Sequence, residues 1–274
     1  MADSSNNDTP SRQLSPIRLG LNLYKLDLAR KLRARKTLIL FAIQLLPVAV
    51  ALLALIWVDL DGLQVFEETV AGVYLPFLIP LAALFFGGPT IVDEVEGRTI
   101  TYLTLRPVPR SILFAAKLAA SVLLTVATST ISVIAFYLVC TLGGGGLTEG
   151  LDLLGWAAFA VVVGAKTYTT IFALLGVVFA STLLPGIVYY VVFELIIGAV
   201  PIVEMLSVKF HLYTLGGFDR TGADDGGARE TLEQFLLDQP LEFDWWVGFV
   251  ACVLITAAAT LIAATVFRSR EFHV

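Results

Sequence analysis

The feature that most constrains this sequence is a series of long apolar runs that carry almost no charge. The first run, residues 37–58, reads TLILFAIQLLPVAVALLALIWV and contains no Asp, Glu, Lys or Arg. A helix of about 20 such residues is long enough to cross the hydrocarbon core of a bilayer. Only 15% of all residues are charged, against about 25% in soluble domains, so a water-soluble fold would have little polar surface. The sequence therefore predicts an all-α integral membrane protein.

Six apolar runs divide the chain into a transmembrane domain, residues 37–267, with polar segments around and within it. We predict membrane spans at about 37–58, 69–90, 111–141, 155–180, 186–205 and 245–267. The other segments are a disordered tail, an amphipathic interfacial helix, a polar connection, an outer loop and a final tail, at 1–16, 17–36, 91–110, 206–244 and 268–274. Pro76 and Pro80 lie inside the second span, where neighbouring groups can bond the backbone carbonyls that proline leaves free.

Basic residues are concentrated on one side of the predicted membrane. Most Lys and Arg residues fall in segments that share a side with the N-terminus, whereas the opposite segments hold Lys209, Arg220 and Arg229 and are otherwise acidic. Short cytoplasmic segments are enriched in Lys and Arg, so we expect both termini to be cytoplasmic and the protein to lie in the cell (inner, cytoplasmic) membrane. We assign the basic cluster in 30–36 to lipid phosphates and expect no nucleic-acid partner.

Motifs of soluble enzymes are missing from the sequence. There is no GxxxxGK[ST] phosphate-binding loop, so we do not expect this chain to hydrolyse ATP itself. The two histidines, His211 and His273, lie outside the predicted spans, which leaves no histidine base within the membrane for a nucleophile. We therefore expect no catalytic residues, no metal site and no cofactor bound by this chain.

One polar connection carries a distinctive pattern. Residues 93–110 read DEVEGRTITYLTLRPVPR and join the second predicted span to the third. The acidic start favours a helix N-terminus, and Pro107 and Pro109 end the helix. A short helix held between two membrane helices can pass force from a soluble partner to the membrane domain. An ordinary polar connection is the alternative.

This stretch, followed by Lys117, resembles the signature of ABC-2 type transporter permeases. That signature has an acidic pair, a Gly, a Thr, a Leu-rich turn, Pro-x-x-Arg and then a Lys in the next helix. The closing sequence from Arg268, RSREF, and the six-span layout are also similar to those of this family. The resemblance thus covers nearly the whole chain.

The resemblance implies a role as the membrane-spanning permease of an ATP-driven ABC transporter, and mostly as an exporter. Such permeases form dimers, here a homodimer, and pair with a separate ABC ATPase subunit that holds ATP and Mg. The cytoplasmic segment 91–110 would be the coupling helix against that ATPase. The residues that the resemblance places at or beside this contact are Glu94, Glu96, Gly97, Arg98, Arg106 and Arg110. A non-transporting membrane anchor or mechanotransmitter subunit, driven by the same kind of ATPase in an envelope complex, is the alternative.

Two charged residues lie about halfway along predicted spans. Lys166 is in the fourth span and Glu194 in the fifth. A charge at the bilayer centre costs roughly 2.5–3.5 kcal/mol or more, so such residues usually pair or face water. Counted from the short link between the two spans, their depths differ by about 9 Å. A structural pair, separate water-facing roles and a substrate or proton site are all open, and an intramembrane enzyme would have only these two catalytic candidates.

Overall fold

The computed structural model describes residues 16–57, 61–90, 110–142, 148, 150–179, 181–200, 203–218 and 243–269. Within these ranges every regular element is helical, which confirms the all-α prediction. The helices in chain order are α1 (Pro16–Leu32), α2 (Arg35–Gln44), α3 (Leu46–Trp57), α4 (Gly62–Thr69), α5 (Ile79–Gly87), α6 (Arg110–Leu142), α7 (Leu151–Phe179), α8 (Leu183–Tyr189), α9 (Val208–Gly216) and α10 (Trp245–Ser269). One π-helical segment, Val70–Leu78, joins α4 to α5, and another, Tyr190–Ile196, extends α8.

Five helical stretches in the described part of the chain are long and apolar enough to cross a membrane. They are Arg35–Ala54, Gly62–Gly87, Ser111–Leu142, Leu151–Phe179 and Trp245–Ser269. These stretches coincide with the first, second, third, fourth and sixth predicted spans.

The fifth predicted span, 186–205, is not one continuous helix, and the prediction was wrong in its second half. The apolar helix covers Leu183–Ile196 and ends in a single 3₁₀ turn, Ile197–Ala199. Val200 is then extended, with φ −100° and ψ 116°. This residue precedes Pro201, and a residue before proline is sterically disfavoured in the α region. An apolar composition alone did not reveal this break.

Helix α1 lies where the N-terminal helix 17–36 was predicted, and it packs along the first turns of α6. A Cβ atom placed on Gly20 would meet Ile112 of α6 at 3.0 Å. About three turns further along α1, Lys31 contacts Ser121 of α6. The contacts advance in the same direction along both helices, so α1 and α6 run side by side. Helix α1 is therefore attached to the end of α6 that follows segment 91–109.

A row of hydroxyl side chains places α6 at the centre of the helix bundle. Ser129 Oγ accepts a hydrogen bond of 2.8 Å from the Gln44 amide of α2. Thr125 Oγ1 accepts one of 3.1 Å from Thr169 of α7. Such bonds between membrane helices stabilise the packing by about 0.6–2 kcal/mol each. Ser121, the first hydroxyl residue of this row, accepts a hydrogen bond from Lys31 of α1, so the row also contacts α1.

Tyrosine hydroxyls bond the carbonyls that the two prolines of the second span leave free. In a π-helix each N–H bonds the carbonyl five residues earlier, as Ile79 does with Tyr74. Pro76 has no N–H for the carbonyl of Ala71, and Tyr213 Oη of α9 donates to that oxygen instead. Pro80 likewise has none for the carbonyl four residues earlier, that of Pro76, and Tyr190 Oη donates to it at 2.7 Å. The expected compensation by neighbouring groups is confirmed.

We expect Tyr213→Phe to lower the free energy of unfolding by about 1 kcal/mol, because a buried carbonyl loses its donor. The measurement is unfolding in mixed SDS and mild-detergent micelles. The matched control is the same substitution in a Pro76→Ala background, where a restored backbone N–H can bond the carbonyl of Ala71. The substitution should cost less there. An equal loss in both backgrounds would contradict this account of the proline.

Candidate functional site

A charged cluster, which we call the Asp27 cluster, lies where α1 meets α6. Asp27 Oδ2 is 2.8 Å from Lys31 Nζ, one turn along α1, and Asp27 Oδ1 is 3.9 Å from Lys117 Nζ of α6. Lys31 also donates a 2.6 Å hydrogen bond to Ser121 Oγ. Ser121 Oγ in turn lies 2.9 Å from the hydroxyl of Thr90. The cluster therefore joins α1, α6 and the residues just before segment 91–109.

The Asp27 cluster is largely shielded from solvent. The side chain of Asp27 is only 10% exposed, and so is that of Lys117. Burial lowers the pKa of Lys31 from its ordinary value, and the neighbouring carboxylate of Asp27 counteracts part of this effect. A buried charge is tolerated when it is paired and hydrogen-bonded, so each of these groups depends on the others. The i, i+4 spacing of Asp27 and Lys31 was the sequence signal for the first pair, and it was not recognised.

The predicted coupling residues stand immediately beside this cluster in the chain. Glu94, Glu96, Gly97, Arg98 and Arg106 lie outside the described residues, as does the side chain of Arg110, which begins α6. Thr90 directly precedes the segment and Lys117 lies about two turns into α6 after it, and both belong to the Asp27 cluster. Lys117, the lysine of the sequence signature, thus faces the carboxylate of α1.

Glu194 caps a buried helix. Its carboxylate, only 3% exposed, accepts hydrogen bonds from Ser207 Oγ at 2.7 Å, Val208 N at 3.2 Å and Lys209 N at 3.1 Å. Val208 and Lys209 begin α9, and the first N–H groups of a helix have no partner within it. A carboxylate at this position is also favoured by the helix dipole. Glu194 therefore has a structural role at the N-terminus of α9.

Helix α9 itself was not anticipated, because 206–244 was assigned to an outer loop. It is a buried helix that ends at Gly217, whose φ of +66° suits glycine. A Cβ atom on Gly164 of α7 would come within 2.7 Å of Leu212 of α9. A side chain at position 164 would therefore force Leu212 to move. The sequence signals were a compact apolar run, FHLYTL, and the Gly-Gly pair after it.

The structure does not bring Lys166 and Glu194 together. Tyr168 of α7 interacts electrostatically with Glu194, so that face of α7 is directed towards the carboxylate. Residues two apart on a helix point in nearly opposite directions, and Lys166 is exposed on the other face. Among the described residues, none forms a hydrogen bond or an ion pair with the Lys166 ammonium. Of the alternatives open in the sequence, the structural pair is not seen.

The threonines that follow Lys166 serve helix packing. Thr167 and Thr169 donate to carbonyls one turn earlier in α7, those of Val163 and Ala165. Thr167 also lies 3.1 Å from Thr256 of α10. Within the described ranges, no group of His, Cys, Asp and Glu side chains is arranged so that it could hold a metal ion.

Comparison with known proteins identifies the kind of membrane domain to which these features belong. A family model described as ABC-2 family transporter protein matches residues 29–209, more than half of the chain. The matched range begins in α1 two residues after Asp27, includes segment 91–110 and all of α6 and α7, and ends in the first turn of α9. No curated protein matches the sequence.

Proposed function

This chain belongs to the ABC-2 family of transporter proteins, and we propose that it is the membrane-spanning permease of an ATP-driven exporter whose ATPase is a separate subunit. The observation that carries the proposal is the family match over residues 29–209, which includes the motif-bearing segment 91–110. Membership in this family supports a multi-pass membrane protein that works with an ABC ATPase.

The Asp27 cluster supports a mechanism for coupling. Thr90 precedes segment 91–109 and Lys117 follows it, and both are joined to α1 through Ser121 and Asp27. If the ATPase pushes on segment 91–110, the end of the second span and the start of α6 move together with α1 rather than separately. The push would then move parts of three helices as one unit. Nucleotide must bind one arrangement of these helices better than the other for ATP to drive the change.

The distribution of Lys and Arg residues and the lengths of the helices support a proposal for the number of spans and the orientation of the protein. We propose that Leu183–Ile196 is the fifth of six membrane-crossing helices. Both termini then lie in the cytoplasm and α1 lies at the cytoplasmic interface. Two copies assemble as a homodimer with two ATPase subunits, which hold ATP and Mg, and this chain contributes no catalytic residue.

The test of the coupling contact is a charge swap in the predicted segment. Glu96→Lys combined with Arg98→Glu should reduce recovery of the ATPase, and ATP hydrolysis by the purified complex, on the order of tenfold, because like charges would then face the partner's matching groups. The matched control is Arg268→Glu, which reverses an exposed basic residue at the far end of α10. Unchanged assembly and hydrolysis in the swapped variant would contradict the coupling role.

A further inference from the structure

A groove on the outer side of the helix bundle contains the ammonium group of Lys166, which pairs with none of the residues that the structure describes. It has a volume of about 780 Å³ and lies between α1, α6 and α7, and we call it the Lys166 groove. Its lining is almost wholly apolar, apart from Tyr24 at one end and Lys166 at the other. Its floor includes Ala115 and Ala119, which are exposed one turn apart on α6.

Lys166 lies deep within the predicted membrane. It is at the middle of α7, and the hydrogen bond between Thr169 and Thr125 aligns this level with the middle of α6. An ammonium group at the centre of a bilayer is costly unless it pairs or reaches water. No described residue supplies that pair, so the part of the groove that the structure describes holds a positive charge without a matching carboxylate.

The position of the charge limits what can complete the groove. Lipid head groups lie at the membrane interfaces, so a resident phospholipid would not place its phosphate at the level of Lys166. A transmembrane helix can carry a carboxylate at any depth. The alanines on α6 suit a helix as well, because small residues let the backbones of two helices approach closely.

The described residues of a second copy of this chain show no carboxylate at the level of Lys166. Glu67, Glu68 and Asp152 lie near the starts of Gly62–Gly87 and α7, far from the middle of a span. Glu194 is buried and bonded to the N-terminus of α9. The described membrane helices thus favour a different protein as the source of the fitting carboxylate.

We propose that the Lys166 groove is the docking site for a transmembrane helix of a different membrane protein, one that carries an Asp or Glu near its middle. The carboxylate pairs with Lys166, and the face around it packs against Ala115 and Ala119. This partner is distinct from the ATPase, which approaches segment 91–110 from the cytoplasm. The site does not depend on which substrate is transported.

The test uses a synthetic transmembrane peptide of Leu and Ala with a single central Asp, and a matched peptide with Leu in its place. A fluorescence donor on Ser269→Cys, at the exposed end of α10, reports binding of an acceptor-labelled peptide in phosphatidylcholine vesicles. Cys140 and Cys252 are buried and should stay unlabelled. We expect the Asp peptide to bind the parent protein on the order of tenfold more tightly than the Leu peptide.

Three variants test whether the preference for the Asp peptide arises at the Lys166 groove. Lys166→Leu should bind both peptides equally, and Lys166→Asp should prefer a peptide with a central Lys. Ala119→Trp leaves the charge in place but fills the groove, so it should weaken binding of the Asp peptide. All variants must elute from a sizing column as the parent does. Equal binding of the two peptides to the parent would overturn the proposal, as would displacement of the Asp peptide by phosphatidylglycerol, which would identify a lipid site.

Discussion

Replacing Asp27 by leucine is expected to lower the free energy of unfolding by about 3–5 kcal/mol, the range for breaking a buried charge pair. The substitution removes the carboxylate that lies 2.8 Å from Lys31 and 3.9 Å from Lys117. The two shielded ammonium groups of Lys31 and Lys117 would then lose the carboxylate that lies between them. The measurement is unfolding in mixed micelles, together with the rate at which a protease cleaves α1.

The matched control is Lys25→Leu, which removes an exposed charge from the same helix. It should change the free energy of unfolding by no more than about 0.5 kcal/mol. A second comparison is Lys117→Met in the Asp27→Leu background, which removes one of the two ammonium groups and should recover part of the loss. If Asp27→Leu were as stable as the control, the cluster would not hold α1 against α6.

Replacing Glu194 by leucine should destabilise the protein by about 3 kcal/mol, because three donors lose a charged acceptor. Ser207 Oγ and the first N–H groups of α9 would be left without a partner in a buried site. Helix α9 should open first, and hydrogen exchange of its amides should rise more than that of α7. Unfolding in mixed micelles measures the total loss.

Glu194→Gln provides the graded comparison. It keeps one acceptor oxygen but not the charge, so it should retain about half of the stabilisation. Glu68→Gln, an exposed carboxylate in α4, should be close to neutral. Equal stability of Glu194→Leu and the parent would show that α9 does not depend on this cap.

Most of the fold could be predicted because a bilayer-crossing helix needs a long apolar run, and such runs are visible in the sequence. The predicted run 111–141 matches Ser111–Leu142, and 245–267 matches Trp245–Ser269. The prediction failed at the fifth span, where an apolar run does not form one continuous helix. Residues 186–205 are apolar, yet the chain becomes extended at Val200 because Pro201 follows it.

The candidate site was less predictable. The direction in which a side chain points depends on how its helix is rotated, and not only on the depth of the residue in the membrane. The sequence identified Lys166 and Glu194 as costly charges. It could not show that Glu194 lies on the side of α7 that carries Tyr168, whereas Lys166 is exposed on the opposite side. The partner of Glu194 is the N-terminus of a helix that was assigned to a loop. The second partner of Asp27, Lys117, lies in α6, at a sequence separation that no local pattern encodes. Contacts of this kind follow from tertiary packing.

The most direct test of the central claim is purification of the tagged protein from its native membranes in mild detergent, followed by an assay for ATP hydrolysis. The sequence shows no GxxxxGK[ST] loop, and the account assigns ATP hydrolysis to a second subunit. The account predicts that an ABC ATPase co-purifies in a fixed ratio and hydrolyses ATP. Failure to recover an ATPase in several mild detergents, from protein that remains folded, would contradict the claim that this permease is powered by a separate ATPase subunit.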